Sequence, residues 1–176
     1  QAGSDIVLEQ MNRKYTKEAY LKLIKKLREV DSDMAISTDI IVGFPGESEE
    51  DFEETLSLCR EVRYDSAFTF LYSVREGTPA AKYDNQIPED VKHERFNRLV
   101  DVINGISAEK NAEYVGKTEK VLVDGPSKTN SKTYGGRTET FKLVNFRGTP
   151  EMIGKVVKVR ITASNTFSLQ GEVISE

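Results

Sequence analysis

The pattern of apolar residues changes at Gly116, and this change limits the possible folds more than any other feature of the sequence. Before it, helical stripes alternate with short apolar strands. After it, short β-rich segments follow one another, separated by glycine and proline. The first pattern is typical of parallel sheets with crossover helices, and the second is typical of a small barrel or sandwich. We therefore predict two domains, residues 1–114 and residues 115–176.

The first 114 residues predict an α/β fold. Apolar residues spaced three and four apart predict helices, and β-branched runs between them predict strands. Two clear strands, with a third entering near Gln1, are too few for a closed eight-stranded barrel. A partial (β/α) barrel or an open sheet is therefore expected. The predicted order is a helix over residues 17–30, a strand over 35–42, a helix over 49–62, a strand over 67–72 and a long helix over 88–114.

The stretch TDIIVGFPGESEED, residues 38–51, joins the first of these strands to the next helix. Its glycines and proline predict a turn, and Ser48 with Asp51 predicts an N-cap and capping box. Such a turn either contacts a ligand, because glycine lets backbone N–H groups approach closely, or simply joins a strand to a helix. The residues alone favour the simple connection. The acids are expected to form a solvated helix start.

Residues 115–176 predict a small all-β domain. About five short strands in roughly 60 residues are typical of a small barrel of the oligonucleotide-binding (OB) type. The polar stretch 127–136 is expected to be a mobile loop. The predicted β-rich segments are residues 120–123, 140–144, 156–162 and 167–174.

The charge of the chain is unevenly distributed. Residues 1–115 hold 15 Lys and Arg against 23 Asp and Glu, a net charge of −8, whereas residues 116–176 hold 10 against 6, a net charge of +4. A basic β-domain is suited to nucleic acid, although ordinary scatter would also give such a value. Phe141, Phe146 and Tyr134 lie among the basic residues and either stack on unpaired bases or fill the barrel core. The candidate RNA contacts are Arg137, Lys142, Phe146, Arg147, Lys158 and Arg160.

Several classes of site and location are disfavoured. The single cysteine, Cys59, excludes an internal disulfide and is expected to be a core thiol, and the single histidine, His93, is expected at the surface. No metal-ligand spacing, signal peptide or membrane-length apolar run is present, so a cytoplasmic protein without membrane contact is expected. Because the sequence does not begin with Met, we expect it to belong to a longer polypeptide.

Four strings of residues together resemble the methylthiotransferase family of radical S-adenosylmethionine (SAM) enzymes. They occur in order along the whole chain, and within the family they are most similar to the branch that modifies tRNA. The resemblance is to the second half of the radical SAM barrel followed by a TRAM domain, which binds RNA in the family. The strings are GSDIVLEQMNRKYT (3–16), STDIIVGFPGE (37–47), FTFLYSVREGTPAA (68–81) and GRTETFKLVNF (136–146).

The resemblance implies the cofactors of the complete enzyme, which are SAM and two 4Fe–4S clusters. The family holds one cluster in an N-terminal domain and the other on a CxxxCxxC loop. Neither set of cysteines is present here, and Cys59 alone cannot supply three thiolates. We therefore expect no metal ligand in this chain, no cofactor bound to it alone and no activity of the chain by itself.

The resemblance also implies two groups of site residues. The positions that match the SAM-facing strand ends are Gln1, Gly3, Ser4, Ile41 and Gly43. Asp39 stands where the family pattern has its first glycine. The positions that match the strand end facing the reaction cavity are Arg75, Thr78 and Pro79. No residue of this chain is assigned a catalytic role.

The implied function is that of a tRNA methylthiotransferase, which adds a methylthio group to C2 of isopentenyl-adenosine next to the anticodon. The implied partners are the anticodon arm of tRNA and the remaining N-terminal half of the same polypeptide. Two alternatives stay open. One is a methylthiotransferase of another substrate, threonylcarbamoyl-adenosine in tRNA or a ribosomal protein. The other is a non-catalytic RNA-binding module.

Overall fold

The computed structural model describes residues 1–127, 130 and 132–174. The chain divides into two compact units, one of residues 1–106 and one beginning at Ser107. The first unit alternates helices and strands, and the second is dominated by strands. No described helix combines the length and apolar character that crossing a bilayer requires.

The elements of the first unit lie close to the predicted ones. Apolar spacing and N-caps are local signals, and here they predict the starts of the helices at residues 17, 49 and 89 to within a residue or two. The short helix over residues 5–10 was not predicted, and the third strand expected near Gln1 is not among the described strands. The elements are α1 (Asp5–Gln10), α2 (Lys17–Val30), β1 (Ser37–Val42), α3 (Glu49–Val62), β2 (Ser66–Leu71), a 3₁₀ turn (Pro79–Lys82) and α4 (Glu89–Ala112).

Strands β1 and β2 form a two-stranded parallel sheet, with Ser37 opposite Ser66 and Val42 opposite Leu71. One face of β1 carries Ile40 and Val42 into a core shared with the helices. The other face carries Asp39 and Ile41 of β1 beside Phe68 and Phe70 of β2, and it is largely exposed in the part of the chain that the structure describes. The two phenylalanines are 64% and 51% exposed.

The second unit is a closed five-stranded barrel in the order β3–β4–β5–β7–β6, which confirms the small barrel of OB type. Neighbouring strands are antiparallel except β5 and β7, which are parallel. Its core consists of Val121, Val123, Tyr134, Val144, Phe146, Val159, Ile161 and Leu169. The strands are β3 (Thr118–Pro126), β4 (Thr133–Thr138), β5 (Leu143–Arg147), β6 (Val156–Ser164) and β7 (Leu169–Val173).

The predicted strand over residues 140–144 is wrong, because residues 139–142 form the turn between β4 and β5. The glycine pair at 135–136, which suggested a loop, lies inside β4. A side chain at Gly136 would overlap the carbonyl oxygen of Leu122 on the neighbouring strand, so glycine permits the close strand approach. The predicted loop 127–136 therefore ends by Thr133, and its residues 128, 129 and 131 lie outside the described residues.

Candidate functional site

The turn between β1 and α3 is held by a buried ion pair. Gly43 adopts φ +76°, and its N–H donates to Glu47 Oε1 at 3.1 Å. The same carboxylate oxygen lies 2.9 Å from Arg95 Nη1, which also donates to the Glu47 carbonyl oxygen. Burial raises the pKa of Glu47 above its usual value, although Gly43 and Arg95 both favour the ionised form. A residue of α4 thus fixes the geometry of a turn at the end of β1.

Asp51 forms the second anchor of this turn. Its side chain completes the predicted capping box, accepting from the backbone N–H of Ser48 at 3.0 Å, and it also accepts from the hydroxyl of Ser4. Burial alone would raise the pKa of Asp51, but these hydrogen bonds outweigh it and lower that pKa. The expectation of a solvated acidic cluster is therefore wrong for Glu47 and Asp51, which are both buried.

A cleft of about 800 Å³ opens at the carboxyl ends of β1 and β2. It brings together four of the candidate residues, namely Ile41, Arg75, Thr78 and Pro79. Thr78 Oγ1 donates to the Arg75 carbonyl oxygen at 2.8 Å, which shapes the loop after β2. The cleft is also lined by Phe44, Phe70, Tyr72 and Tyr83.

Two buried polar atoms in the lining of this cleft, the Tyr72 hydroxyl and Gln10 Oε1, have no hydrogen-bond partner among the described residues. Such atoms are uncommon in folded proteins, because an unpaired buried polar group is costly. Together with the apolar surface of Ile41 and Phe70, they suit a ligand that carries both polar groups and a flat apolar ring. The residues present are therefore compatible with SAM.

The other SAM-side candidates lie outside this cleft. Gln1 lines a separate cleft of about 480 Å³, and its carbonyl oxygen accepts from the Ile41 N–H at 3.1 Å. Gly3 packs against the backbone of α3, with its N–H donating to Thr55 Oγ1. Ser4 caps α1, and Gly43 packs against the side chain of Lys92. The structure accounts for Gly3, Ser4 and Gly43 by packing and hydrogen bonding within the protein.

Arg13 and Asn12 also line the 800 Å³ cleft, and neither was a candidate. Asn12 adopts φ +57°, a conformation that asparagine tolerates better than most residues. The only sequence signal was that both residues fall within the first of the four strings.

The chain's own thiol does not fit a cluster ligand. Cys59 lies fully buried in the core with Phe52 and Leu56, as predicted, and burial raises the pKa of its thiol to about 12. Cluster ligation requires thiolates. Within the part of the chain that the structure describes, no three His, Cys, Asp or Glu side chains are grouped so as to hold a metal ion.

The outer face of β6, β3 and β4 carries basic residues. Lys158 and Arg160 alternate with buried residues along β6, so both point outward. The register places Lys158 directly opposite Lys120 of β3, and Arg137 of β4 opposite Leu122. Lys120 was missed because only the strand register shows its neighbours. We call Lys120, Arg137, Lys158 and Arg160 the basic face.

The remaining RNA candidates fall into different environments. Phe146 and Tyr134 are buried in the barrel core, where the alternative interpretation placed them. Lys142 is also buried, whereas Arg147 is exposed at the end of β5. Phe141 is 75% exposed, with the guanidinium of Arg137 4.9 Å from its ring centroid.

Comparisons with known proteins match a different family model to each of the two units. The model of the radical SAM superfamily matches residues 1–59, and the model of the TRAM domain matches residues 112–174. Proteins named tRNA-2-methylthio-N(6)-dimethylallyladenosine synthase are similar to almost the whole chain. The protein from Clostridium botulinum (strain Okra / Type B1) is 60% identical over 99% of this chain, and that from Clostridium novyi (strain NT) is 58% identical over 99%. The protein from Alkaliphilus oremlandii (strain OhILAs) is 60% identical over 100%.

The chain spans less than two fifths of the length of these relatives, with 39%, 38% and 37% of the three proteins covered. The matched region includes both units of the chain. The chain is therefore similar, along essentially its whole length, to part of the proteins named tRNA-2-methylthio-N(6)-dimethylallyladenosine synthase, and its two ends match the models of the radical SAM superfamily and of the TRAM domain.

Proposed function

We propose that this chain forms the tRNA-facing part of a methylthiotransferase that adds a methylthio group to C2 of isopentenyl-adenosine next to the tRNA anticodon. The observation that carries the proposal is the identity of about 60%, over the whole chain, with proteins named for the synthesis of that nucleoside. The complete enzyme uses SAM and two 4Fe–4S clusters and acts in the cytoplasm. The proposed domains are residues 1–114 and 115–176.

Residues 1–114 form the second half of a partial (β/α) barrel in this proposal. The uncovered face of the two-stranded sheet, with Ile41, Phe68 and Phe70, then belongs to the barrel interior. The remaining N-terminal half of the polypeptide completes the sheet and covers this face. Support comes from the parallel pairing and from the exposed phenylalanines, since large apolar side chains on a sheet favour burial.

The 800 Å³ cleft is the proposed site for SAM and the reacting base. Ile41 supplies an apolar surface for adenine, Gly43 shapes the adjoining turn, and Arg75, Thr78 and Pro79 face the reaction cavity. Gln1, Gly3 and Ser4 set the position of the chain beside β1. SAM and its cluster supply the radical chemistry when bound. This chain's residues bind, orient and shield the reactants, and cysteines outside this chain hold both clusters.

The TRAM barrel is the proposed holder of the anticodon arm. The basic face, together with Arg147, contacts phosphates, whereas the candidate Lys142 is too buried for such a contact. The net positive charge of residues 116–176 draws the RNA to this unit. Phosphate contacts position the RNA, whereas recognition of the target base requires the completed (β/α) barrel, to which residues 1–114 contribute in this proposal.

Binding is tested by titrating the chain with an anticodon stem-loop RNA at several salt concentrations. Affinity is expected to fall steeply as salt rises, with a slope of about −0.7 to −0.9 per phosphate contact. No binding, or binding that ignores salt, would contradict the proposed role of the barrel.

Activity is tested with the complete enzyme that contains this chain, supplied with SAM, a reductant and one substrate at a time. Mass spectrometry of the product is expected to show methylthiolation of isopentenyl-adenosine tRNA. Product from threonylcarbamoyl-adenosine tRNA or a ribosomal protein instead would assign the alternative substrate. The chain alone is expected to yield no product, since it has one cysteine.

A further inference from the structure

Two phenylalanines of the barrel lie almost completely in solvent. Phe141 in the β4–β5 turn is 75% exposed, and Phe167 in the β6–β7 turn is 76% exposed. Neither contributes to the barrel core. Aromatic side chains normally favour burial, so two rings exposed on one small domain indicate a binding site.

Phe141 is held outward by an ordered turn. Its N–H donates to the Thr138 carbonyl oxygen at 3.0 Å, and Arg137 Nη1 donates to the Phe141 carbonyl oxygen at 3.3 Å. The turn is further tied to the Tyr114 hydroxyl through Thr140 Oγ1, 2.8 Å away. The ring is thus presented from a fixed backbone.

The backbone of Phe141 adopts φ +64°, a left-handed conformation that glycine and asparagine accept far more readily than an aromatic residue. A phenylalanine at such a position destabilises the turn. Strained residues with exposed side chains are found most often at binding sites, where the side chain is needed for the ligand.

Phe167 is held by a second ordered turn. Asn165 Oδ1 accepts from the N–H groups of Phe167 and Ser168 at 2.8 and 2.9 Å. Asn111 Nδ2, from the end of α4, donates to the carbonyl oxygens of Asn165 and Thr166. This turn is therefore also preorganised, and its ring loses little freedom when a ligand binds.

The barrel topology places the two turns next to each other. Strands β5 and β7 are parallel, and Val144 pairs with Leu169 near the start of each. The turns that precede these strands, which carry Phe141 and Phe167, therefore lie at the same end of the barrel on adjacent strands. Arg137, which belongs to the basic face, covers one side of the Phe141 ring.

We propose that Phe141 and Phe167 are stacking platforms for two unpaired bases of the bound RNA, with the Arg137 guanidinium behind the Phe141 ring. The inference rests on the proposed function in that the ligand is RNA. Unpaired bases fit because they are flat, apolar and attached to phosphates, and the platforms adjoin the basic face. The basic face supplies phosphate contacts, whereas the platforms supply contacts to the bases.

The test uses the full chain, an anticodon stem-loop and a copy of that RNA whose loop nucleotides lack their bases. The protein contains no tryptophan, so Phe141→Trp and Phe167→Trp each introduce a single tryptophan, whose fluorescence is excited separately from that of the seven tyrosines. Stacking is expected to quench the tryptophan fluorescence of each variant when it binds the intact loop, but not when it binds the abasic loop. The abasic copy keeps its phosphates, so it retains salt-dependent binding.

Affinity is measured for Phe141→Asn, Phe167→Ala and the control Ile153→Ala, an exposed apolar residue at the opposite end of the barrel. Each platform variant is expected to lose roughly 5- to 150-fold in affinity with an unchanged salt slope, and the control to lose none. Phe141→Asn relieves the left-handed strain, so its melting temperature is expected to stay equal or rise while affinity falls.

Two outcomes separate this inference from the proposed function. Salt-dependent binding that is unaffected by the platform variants, without tryptophan quenching, would overturn the platforms and leave RNA binding by the basic face intact. Failure of the wild-type chain to bind any RNA would overturn both.

Discussion

The guanidinium of Arg95 lies 2.9 Å from Glu47 Oε1, and the two side chains are 7% and 2% exposed, so water hardly reaches this ion pair. Glu47 in turn accepts from the N–H of Gly43, which follows β1 directly. The pair thus connects α4 to the turn that borders the candidate SAM cleft. Removal of Arg95 leaves the Glu47 carboxylate buried with only the Gly43 N–H as its partner, which does not neutralise the charge.

Arg95→Met is therefore expected to reduce the free energy of unfolding of the first unit by about 3–5 kcal/mol. Urea denaturation near neutral pH measures it. Arg98→Met is the matched control, because Arg98 lies one turn further along α4 but is one-third exposed. It pairs with Glu49 and Glu53 of α3 and with Glu94 of α4. Arg98→Met is expected to reduce the free energy of unfolding by about 1 kcal/mol or less. Equal effects of the two variants would contradict a special role for the buried pair.

Asp51 is expected to contribute to acid sensitivity. Its pKa is lower in the folded protein than its reference value of 3.8, so its contribution to stability is complete above that pH and is lost as the pH falls through the folded value. Asp51→Asn should therefore remove part of the stability loss below about pH 4. Urea midpoints between neutral pH and pH 2.5 measure this. Glu50→Gln removes one negative charge at an exposed position and should leave the loss of stability at low pH unchanged.

Gly43 and Gly77 form a matched pair of glycines with left-handed backbones, at φ +76° and +83°. A Cβ at Gly43 would overlap the stem of Lys92, whereas a Cβ at Gly77 meets nothing within 4 Å. Gly77→Ala is expected to reduce the free energy of unfolding by about 1 kcal/mol through backbone strain alone, and Gly43→Ala is expected to reduce it further. Chemical denaturation compares them. If overlap causes the difference, Lys92→Ala should restore part of the loss in Gly43→Ala.

Cys59 is expected to resist alkylation in the folded chain. Its thiol is buried and its pKa is raised to about 12, so the thiolate that reacts is rare at pH 8. Iodoacetamide labelling, followed by mass spectrometry, should be on the order of 10³-fold slower without urea than in denaturing urea. Rapid labelling of the folded chain would show that the core around Phe52 and Leu56 opens readily.

Lys120 is expected to contact RNA phosphate, although it was not a candidate from the sequence. It stands opposite Lys158, a like charge, and its Nζ lies 3.9 Å from Glu139 Oε1 in an exposed ion pair. Because the substitution removes both the repulsion and a weak ion pair, Lys120→Gln should leave the stability of the barrel nearly unchanged. It should also make the slope of log affinity against log salt shallower by the equivalent of about one phosphate contact. Fluorescence anisotropy at several salt concentrations, with thermal melting alongside, measures both quantities.

Local signals predicted the three longer helices, the N-cap at Ser48 and the two parallel strands, because spacing and capping depend on residues that are close in sequence, whereas the short helix α1 was not predicted. The capping box of Ser48 and Asp51 is an example. The burial of Glu47 was not predictable in this way, since its partner lies 48 positions along the chain. Its carboxylate was expected in solvent for lack of that partner.

In the barrel, too, the burial of aromatic residues could not be predicted from their neighbours in sequence. Phe141 and Phe146 are five positions apart, and either could stack on a base or fill the core. The register of β4 and β5 decides, since it directs Phe146 inward while Phe141 falls in the turn. Gly136 was misinterpreted for a related reason, because the strand that requires its small size is not its neighbour in sequence.

The closed barrel has a consequence for how partners approach. In the described chain each barrel strand pairs on both sides, so no strand edge is open to an added strand. An extended peptide or a second copy therefore cannot extend this sheet by backbone pairing, and any partner must recognise side chains and turns. The two-stranded sheet of β1 and β2 is the opposite case, because its outer edges pair with no other strand of the described chain, and the edge of β1 is hydrogen-bonded only to Gln1.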